Sequence, residues 1–416
     1  MIDRVWIDVE LAQGPVHAGL AHFSRRGSTI TTSFRYSDEY LRHPGSYEID
    51  PALPLRGGAS VEGLPGSFQD CAPDRWGRNL VTKRIRAQSR QTAGPHRSIT
   101  GIDFLTEVSD ITRQGALRFR TSADGPHVAP DTSVPTLIEL PRLLAYARTV
   151  DRDDDDDLTA VTALLDAGTG SLGGARPKAA VRDGEQLILA KFPHTSDKWD
   201  VMAWEKTALD LAARCGIPTP SARLVSVGGT HALLLNRFDR GTGSARIGYI
   251  SGLTLVGGHD GGAYDYADVA AGLSDHGADV SRDLRELWRR VAFSVLIDNT
   301  DDHLRNLGLL HRPGGWTLSP AFDLNPNPEV GAARQTSIAG AIDVDDAVAG
   351  LLAFATDCRL EQRDVRNLLD ELLQASSEWQ HIARSNGISD GAIAGMREAF
   401  EGQRPAFEFA STTATV

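Results

Sequence analysis

The feature that most constrains this chain is an amphipathic helix that leads directly into a polar loop, a hairpin and a further carboxylate. Between residues 282 and 298, apolar side chains recur at helical spacing, on Leu284, Leu287, Trp288, Val291, Val295 and Leu296. The loop reads Asp298-Asn299-Thr300-Asp301-Asp302-His303-Leu304-Arg305-Asn306, and Gly314-Gly315 marks the hairpin turn before Asp323. This order predicts that Asp323 folds back beside Asp301 and Asn306.

The loop pattern admits two interpretations. Phosphoryl transfer needs one carboxylate that accepts or orients the proton of an attacking hydroxyl, and an amide and a carboxylate that hold Mg²⁺. Asp301, Asn306 and Asp323 supply these groups in that order. Aspartate and asparagine are also common in loops, because they cap helices and make turns. The amphipathic helix before the loop and the Ala321-Phe322-Asp323 segment after it favour the catalytic interpretation.

A second group of candidate residues lies upstream of this loop. Residues 168–174 read GTGSLGG; such a loop brings backbone N–H groups close to phosphate, or is only a flexible turn. Lys191 lies in an apolar strand, where its amine needs an anion unless it reaches water from a sheet edge. Glu205, in a helix predicted over residues 199–214, either pairs with Lys191 or is solvated.

The remaining sequence alternates between strand-like and helical patterns. Period-two alternation predicts an antiparallel meander at the N-terminus, and Pro and Gly predict irregular loop over residues 36–66. Hairpins are predicted at Asp183-Gly184 and Gly228-Gly229. Helices are predicted from Asp74 to Ala87, over Leu137–Val150 and over residues 361–374, with a disordered tail from Ser411.

Composition and charge narrow the classes of function. A chain of 416 residues is too long for one ordinary core, and its net charge of −12 argues against a stand-alone nucleic-acid binder. Cys71, Cys215 and Cys358 are too sparse for a disulfide framework, so we expect reduced thiols and a cytoplasmic location. There is no signal-peptide pattern or membrane-spanning apolar run, and the acidic run Asp151–Asp157 is interpreted as a solvated loop.

Together these segments resemble the HipA family, bacterial serine/threonine kinases of the protein-kinase-like superfamily that act as toxins of type II toxin–antitoxin systems. The resemblance covers most of the chain. It rests on five motifs in the family's order: Ser171 to Lys178, Lys191-Phe192-Pro193, Arg237-Phe238-Asp239-Arg240, Asn299 to Asn306 and Phe322-Asp323. Ser33-Phe34-Arg35-Tyr36 and Pro73 to Arg78 also resemble that family's N-terminal domain.

The resemblance implies a role for each matching residue. Asp301 matches the catalytic base, Asn306 and Asp323 the Mg²⁺ ligands, and Lys191 the lysine that contacts ATP phosphates. Ser171 matches a serine whose autophosphorylation would switch the kinase off by expelling the glycine loop. The remaining cofactor-binding assignments are the phosphate loop at Gly173, Gly174, Ala175, Arg176, Pro177 and Lys178, the adenine hinge at Asn236, Arg237 and Phe238, and Glu205, His303 and Phe322. Arg176-Pro177 and Asn236 depart from the family's usual residues.

The resemblance also implies an architecture. We expect an α+β, protein-kinase-like two-lobe fold, with an additional mixed α/β N-terminal domain. The predicted boundaries are 1–120 for the N-terminal domain, 121–157 for a linker and acidic loop, 158–239 for a β-rich kinase lobe and 240–410 for a helical lobe.

The function implied is ATP- and Mg²⁺-dependent phosphorylation of a protein such as an aminoacyl-tRNA synthetase, which inhibits translation and growth. The implied partner is a HipB-like helix-turn-helix antitoxin that carries most of the binding to operator DNA. Two alternatives remain open. One is a small-molecule phosphotransferase of the aminoglycoside-kinase type, whose His-Gly-Asp opening this sequence lacks, and the other is a non-catalytic nucleotide-binding module.

Overall fold

A computed structural model describes residues 2–27, 29–91, 98–129, 134–152, 158–168, 176–329 and 331–413 of the chain. The chain divides into two compact units. The first comprises Met1–Ser196 and Val225–Ile250, and the second comprises Asp197–Leu224 and Ser251–Val416. The domain boundaries expected from the sequence stay a prediction.

The first unit begins with a five-stranded antiparallel sheet in the order β4-β3-β2-β1-β5. Alternate side chains along each strand point to one buried face of this sheet, where Ile7 on β1, Phe34 on β3 and Phe119 on β5 are almost fully enclosed. Phe68 packs edge-on against both phenylalanines. The elements of this part are β1 (Arg4–Leu11), β2 (Gly14–Arg26), β3 (Thr29–Tyr36), α1 (Asp38–Arg42), β4 (Gly58–Glu62), α2 (Gly66–Asp70), α3 (Arg75–Gln91), α4 (Gly101–Thr106) and β5 (Leu117–Arg120).

A second sheet of the first unit has the order β6-β7-β9-β8. Its elements are α5 (Leu140–Asp151), α6 (Leu158–Asp166), β6 (Lys178–Asp183), β7 (Gln186–Lys191), β8 (Ala222–Val227), which crosses the unit boundary, and β9 (Thr230–Asn236). Leu80 of α3, Leu144 of α5, Leu164 of α6 and Ile188 of β7 belong to one buried cluster. The N-terminal helix α3 therefore shares a hydrophobic core with the second sheet.

The second unit is mainly helical and is organised around one amphipathic helix. Its elements are α7 (Val201–Arg214), α8 (Gly252–Leu255), α9 (Tyr266–His276), α10 (Val280–Leu296), β11 (Gly308–Arg312), β12 (Gly315–Leu318), α11 (Ala347–Phe354), α12 (Gln362–Ser376), α13 (Trp379–Ser385), α14 (Asp390–Gly395), α15 (Arg397–Glu401) and α16 (Arg404–Thr413), and β10 (Tyr249–Ser251) crosses from the first unit. The apolar stripe predicted on α10 is confirmed, since all six of its members are buried. Trp288 on this stripe also donates a hydrogen bond from Nε1 to the Leu351 carbonyl oxygen at 3.0 Å.

Two local expectations from the sequence are wrong. Residues 36–66 are not wholly irregular, because Ser37 caps α1 by accepting from the Tyr40 amide, and β4 pairs with β3. The strand signal was weak because β4 is a short edge strand with little apolar alternation. Residues 411–413 belong to α16, whose buried Phe407 and Ala410 hold its C-terminal turns.

The other local predictions agree with the structure. The N-terminal meander, both hairpins, and the helices that correspond to α3, α5, α7, α10 and α12 are confirmed. All three cysteines are free and buried. Residues 153–157 of the acidic run lie outside the described residues. Within the described part of the chain, no helix is both long and apolar enough to cross a membrane.

Candidate active site

The polar loop after α10 is folded back on itself. A short 3-10 helix over Leu304–Asn306 returns the chain, and the Asn306 amide N–H donates to the His303 carbonyl oxygen at 2.8 Å. The Asn306 side chain donates from Nδ2 to the Asp301 carbonyl oxygen at 3.1 Å. This bond uses the amide nitrogen and leaves Oδ1 as an acceptor.

The hairpin β11–β12 then brings the second carboxylate to the same place. His303, Asn306, Phe322 and Asp323 line one cavity of about 40 Å³ in the second unit. Asp301 lies beside the lining residue His303, with a side chain that is 71% exposed and an Oδ1 atom 4.0 Å from the Nε2 atom of His303. The expected proximity of the polar loop and Asp323 is therefore observed.

Asp323 has an unusual backbone conformation. Its φ of +58° lies in the left-handed region, which an aspartate adopts only when the surrounding structure compensates the strain of about 1–3 kcal/mol. Asn325 provides one such contact, since its Nδ2 donates to the Asp323 Oδ1 at 3.2 Å. The Asn325 Oδ1 is buried, and no group in the described ranges donates a hydrogen bond to it. The sequence interpretation missed Asn325, although its spacing of two residues from Asp323 is a signal.

The donor set of the cavity suits a hard cation. Asn306 and Asp323 present an amide oxygen and a carboxylate, the ligand types that Mg²⁺ takes. Within the described ranges there is no cluster of three or more His, Cys, Asp or Glu side chains suited to a metal. A Mg²⁺ ion does not need such a cluster, because it usually binds one or two protein ligands and completes its shell with water and phosphate oxygens.

Lys191 and Lys178 face each other in the first unit. They are directly opposite in the β6–β7 register, so their side chains leave the same face of the sheet, and both are buried. Lys178 forms an ion pair with Asp74, which precedes α3, and this carboxylate also accepts from the Gly77 amide at 2.7 Å. Burial makes such lysines costly unless anions compensate them, and Asp74 is one such anion.

Arg237 of the expected adenine hinge is turned into the protein. Its guanidinium donates to both carboxylate oxygens of Asp239, at 2.8 and 2.5 Å, and to the Thr112 carbonyl oxygen at 2.5 Å. Asp239 also accepts from the Gly115 amide at 2.8 Å. Burial opposes ionisation of Asp239, but Arg237 and Arg240 outweigh it and hold the pKa of that carboxyl well below its usual value.

The two other residues assigned to the adenine hinge have different surroundings. Asn236 ends β9 and pairs with Ile188 of β7, and Phe238 packs against Tyr249 at a centroid distance of 6.3 Å. The Arg237 side chain instead connects the hinge segment with residues 112–113. The sequence interpretation did not anticipate this structural role of Arg237.

Several assigned residues are not tested by the described structure. Ser171, Gly173, Gly174 and Ala175 lie outside the described residues. Arg176 and Pro177 precede β6, and the Phe192 amide donates to the Pro177 carbonyl oxygen at 2.9 Å. Glu205 is completely buried on α7 of the second unit, whereas Lys191 belongs to the first. Their pairing stays a prediction.

The sequence and the fold of this chain match those of a described family of proteins. A model of the HipA-like C-terminal domain matches residues 170–379, and a model of the HipA N-terminal domain matches residues 14–94. The structure is similar to a chain in the complex of the Shewanella oneidensis MR-1 toxin–antitoxin system HipA, HipB and its operator DNA. That match has a TM-score of 0.69 and 14% identity, and covers 99% of each chain.

Two further proteins are similar over part of the chain. The Sinorhizobium fredii protein named "Putative kinase Y4dM" is 30% identical over 253 residues, which are 52% of this chain and 60% of that protein. This chain thus spans about 60% of the length of that curated relative. The Helicobacter pylori proinflammatory kinase CtkA aligns with a TM-score of 0.46 and 15% identity, over 58% of this chain and 93% of that one.

These matches define the class as a mixed α+β protein with the HipA architecture, as expected from the sequence. The C-terminal family model covers half of the chain, and the N-terminal model precedes it in the expected order. The chain belongs to the HipA family.

Proposed function

We propose that this protein is an ATP- and Mg²⁺-dependent serine/threonine protein kinase. The observation that carries the proposal is the gathering of His303, Asn306 and Asp323 around one cavity, with the exposed Asp301 carboxylate beside His303. These are the groups that phosphoryl transfer to a hydroxyl requires: an exposed carboxylate for the hydroxyl and two oxygen ligands for the cation.

Each residue has a definite task in the proposed reaction. Asp301 accepts a hydrogen bond from the substrate hydroxyl and orients it, and its exposure leaves room for a protein side chain. Asn306 and Asp323 hold Mg²⁺, which when bound neutralises charge on the β- and γ-phosphate oxygens. Lys191, with Glu205 as its proposed partner, and the phosphate loop assigned to residues 173–178 hold the nucleotide phosphates.

The proposed biological role is that of the toxin in a toxin–antitoxin pair. Family membership supports this role, and the similar Shewanella oneidensis structure contains HipB and operator DNA. We propose a HipB-like helix-turn-helix antitoxin as the partner, with DNA bound mainly through it, which agrees with this chain's net charge of −12. A cytoplasmic protein substrate such as an aminoacyl-tRNA synthetase, and autophosphorylation at Ser171 as an off switch, complete the proposal.

The test is transfer of labelled γ-phosphate from ATP by the purified full chain and by the variant Asp301→Gln. We expect the wild type to phosphorylate itself or an added protein only when Mg²⁺ is present. We expect Asp301→Gln to lose at least about 100-fold in rate, because a positioned proton acceptor contributes that much. Nucleotide affinity and melting temperature should change little, since the Asp301 side chain is exposed.

The control is Asp390→Asn, which removes an exposed carboxylate from α14 in the same unit and should leave transfer unchanged. Peptide mapping of the same reaction identifies the modified residue and so tests Ser171. Full transfer by Asp301→Gln would refute the assigned catalytic residue. Labelling of a small alcohol, without any protein product, would favour a small-molecule phosphotransferase.

A further inference from the structure

Asp301 and Asp302 are adjacent in the polar loop, but one carboxylate is exposed and the other is buried. Asp301 is exposed, whereas Asp302 is only 5% exposed and points into the second unit. A buried carboxylate is costly unless charges and hydrogen bonds compensate it. The groups that compensate the Asp302 carboxylate therefore also help to fix the backbone of its two neighbours, Asp301 and His303.

The Asp302 carboxylate is compensated by one side chain cation and three further donors. Arg334, itself 6% exposed, forms an ion pair with it. Tyr266 on α9 donates from its hydroxyl to Oδ2 at 3.1 Å, and burial raises the pKa of that phenol well above its usual value, so it remains a donor. The amides of Gln335 and Thr336 donate to Oδ1 at 3.2 and 3.3 Å.

The same short segment also holds the loop backbone. Arg334 donates from Nη2 to the Asn299 carbonyl oxygen at 3.2 Å, and the Gln335 amide donates to the Thr300 carbonyl oxygen at 3.2 Å. The Thr336 hydroxyl donates to the Asp302 carbonyl oxygen at 2.8 Å. The backbone carbonyl oxygens of residues 299, 300 and 302 thus all accept hydrogen bonds from residues 334–336.

Residues 334–336 are in turn anchored to α9. Asp265 caps this helix and accepts from the Ser337 hydroxyl at 2.5 Å and from the amides of Ala339 and Gly340 at 3.1 and 2.8 Å. The Tyr266 amide donates to the Ser337 carbonyl oxygen at 3.0 Å. The segment that supports the loop is therefore itself held at the start of α9 through the residues that directly follow it, Ser337 to Gly340.

We infer that Arg334 is a positioning residue that holds Asp301 in place through its ion pair with Asp302. This inference rests on the proposed function, because Asp301 is the group it positions. Arg334 does not line the cavity with His303, Asn306 and Asp323, so it acts through the loop. Loss of the Arg334 cation leaves the Asp302 carboxylate buried without its counter-ion, and the loop must move to hydrate it.

The experiment compares full-length wild type with Arg334→Met and Arg334→Lys, using steady-state phosphate transfer and amide hydrogen exchange. We expect Arg334→Met to lower kcat by roughly 10- to 100-fold, because small displacements of a catalytic group have effects of that size. The KM for ATP should change less than about twofold, and exchange should accelerate selectively over residues 299–306. Arg334→Lys keeps a cation and should recover part of kcat.

The control variant is Arg384→Met, which breaks an exposed ion pair with Asp390 in the same unit and should change neither readout. Wild-type kcat in Arg334→Met would overturn the inference. A general destabilisation would also overturn it. In that case, both Arg334 variants would show faster exchange across the whole second unit, and kcat and ATP affinity would fall together. If the wild type transfers no phosphate but exchange over 299–306 still rises selectively in Arg334→Met, the proposed function fails while the support of the loop by Arg334 stands.

Discussion

At the scale of single residues, His311 shows how partial burial changes a titrating group. It lies on β11 with its ring edge-on to Trp316, at a centroid distance of 5.3 Å. Burial, with a smaller contribution from Arg312, lowers the pKa of His311 from 6.5 to about 4. The folded protein therefore keeps this imidazole neutral at pH values where the unfolded chain takes up a proton.

This difference predicts a pH dependence of stability. Between pH 6.5 and pH 4 the unfolded chain binds more protons at this site, so the free energy of unfolding should fall as the pH is lowered. The contribution is at most roughly 3 kcal/mol, because each pKa unit corresponds to about 1.4 kcal/mol. His311→Phe should flatten the dependence, as measured by urea unfolding at pH 4.5 and 6.5. Exposed His381→Gln is the control, and an unchanged slope in His311→Phe would contradict the prediction.

At the scale of secondary-structure elements, Asp74 joins the start of α3 to the start of β6. One of its oxygens accepts from the Gly77 amide, and the other pairs with Lys178, which is directly opposite Lys191. The N-terminal part of the chain thus supplies a negative charge beside two lysines assigned to the nucleotide phosphates. The carboxylate reduces the repulsion between them.

We predict that Asp74→Asn destabilises the protein by about 3–5 kcal/mol, because it leaves the Lys178 ammonium buried without this partner. The cap on α3 should survive, since an asparagine oxygen still accepts from the Gly77 amide. Urea unfolding checks the change against Asp124→Asn, an exposed carboxylate of the same unit, which should lie within about 0.5 kcal/mol of wild type. A loss below about 1 kcal/mol would show that the ion pair contributes little.

At the scale of the whole molecule, one hydrophobic core joins the two regions that match the family models, residues 14–94 and 170–379, within the first unit. Trp76 and Leu80 of α3 pack in one cluster with Ala179, Ile188 and Leu234 of the second sheet. Asp239, after β9, is also bonded to the backbone of Gly115. Residues that match the N-terminal model therefore complete the core of the unit that carries Lys191.

A fragment that starts at residue 158 should consequently fail to fold its first unit. It would lose the side chains that α3 and α5 contribute to the cluster shared with β6, β7 and β9. We therefore expect strong binding of a hydrophobic dye and loss of near-ultraviolet dichroism. Co-expression of residues 1–157 should restore a compact complex. A fragment that unfolds cooperatively by itself, with native dichroism, would show that the N-terminal residues are dispensable.

Much of the local structure and part of the site could be predicted from sequence patterns alone. The stripe on α10, the hairpins, and the order of Asp301, Asn306 and Asp323 depend on short-range periodicity and turn chemistry, which are visible along the chain. The edge strand β4 and the last turn of α16 were not predicted, because they depend on pairing and packing with residues distant in the chain.

The partners of the charged residues depended on the tertiary structure. Asp301 and Asp302 are adjacent and chemically identical, and Arg237 belongs to a motif that suggested nucleotide contact. Asp302, and not Asp301, pairs with Arg334, and Arg237 donates to the Thr112 carbonyl oxygen. Both contacts join residues that are far apart in the chain. The order of residues along the chain specifies which chemical groups are present and how they are spaced. Only the fold decided which of them face solvent and which compensate one another inside, because burial and pairing depend on distance in space rather than along the chain.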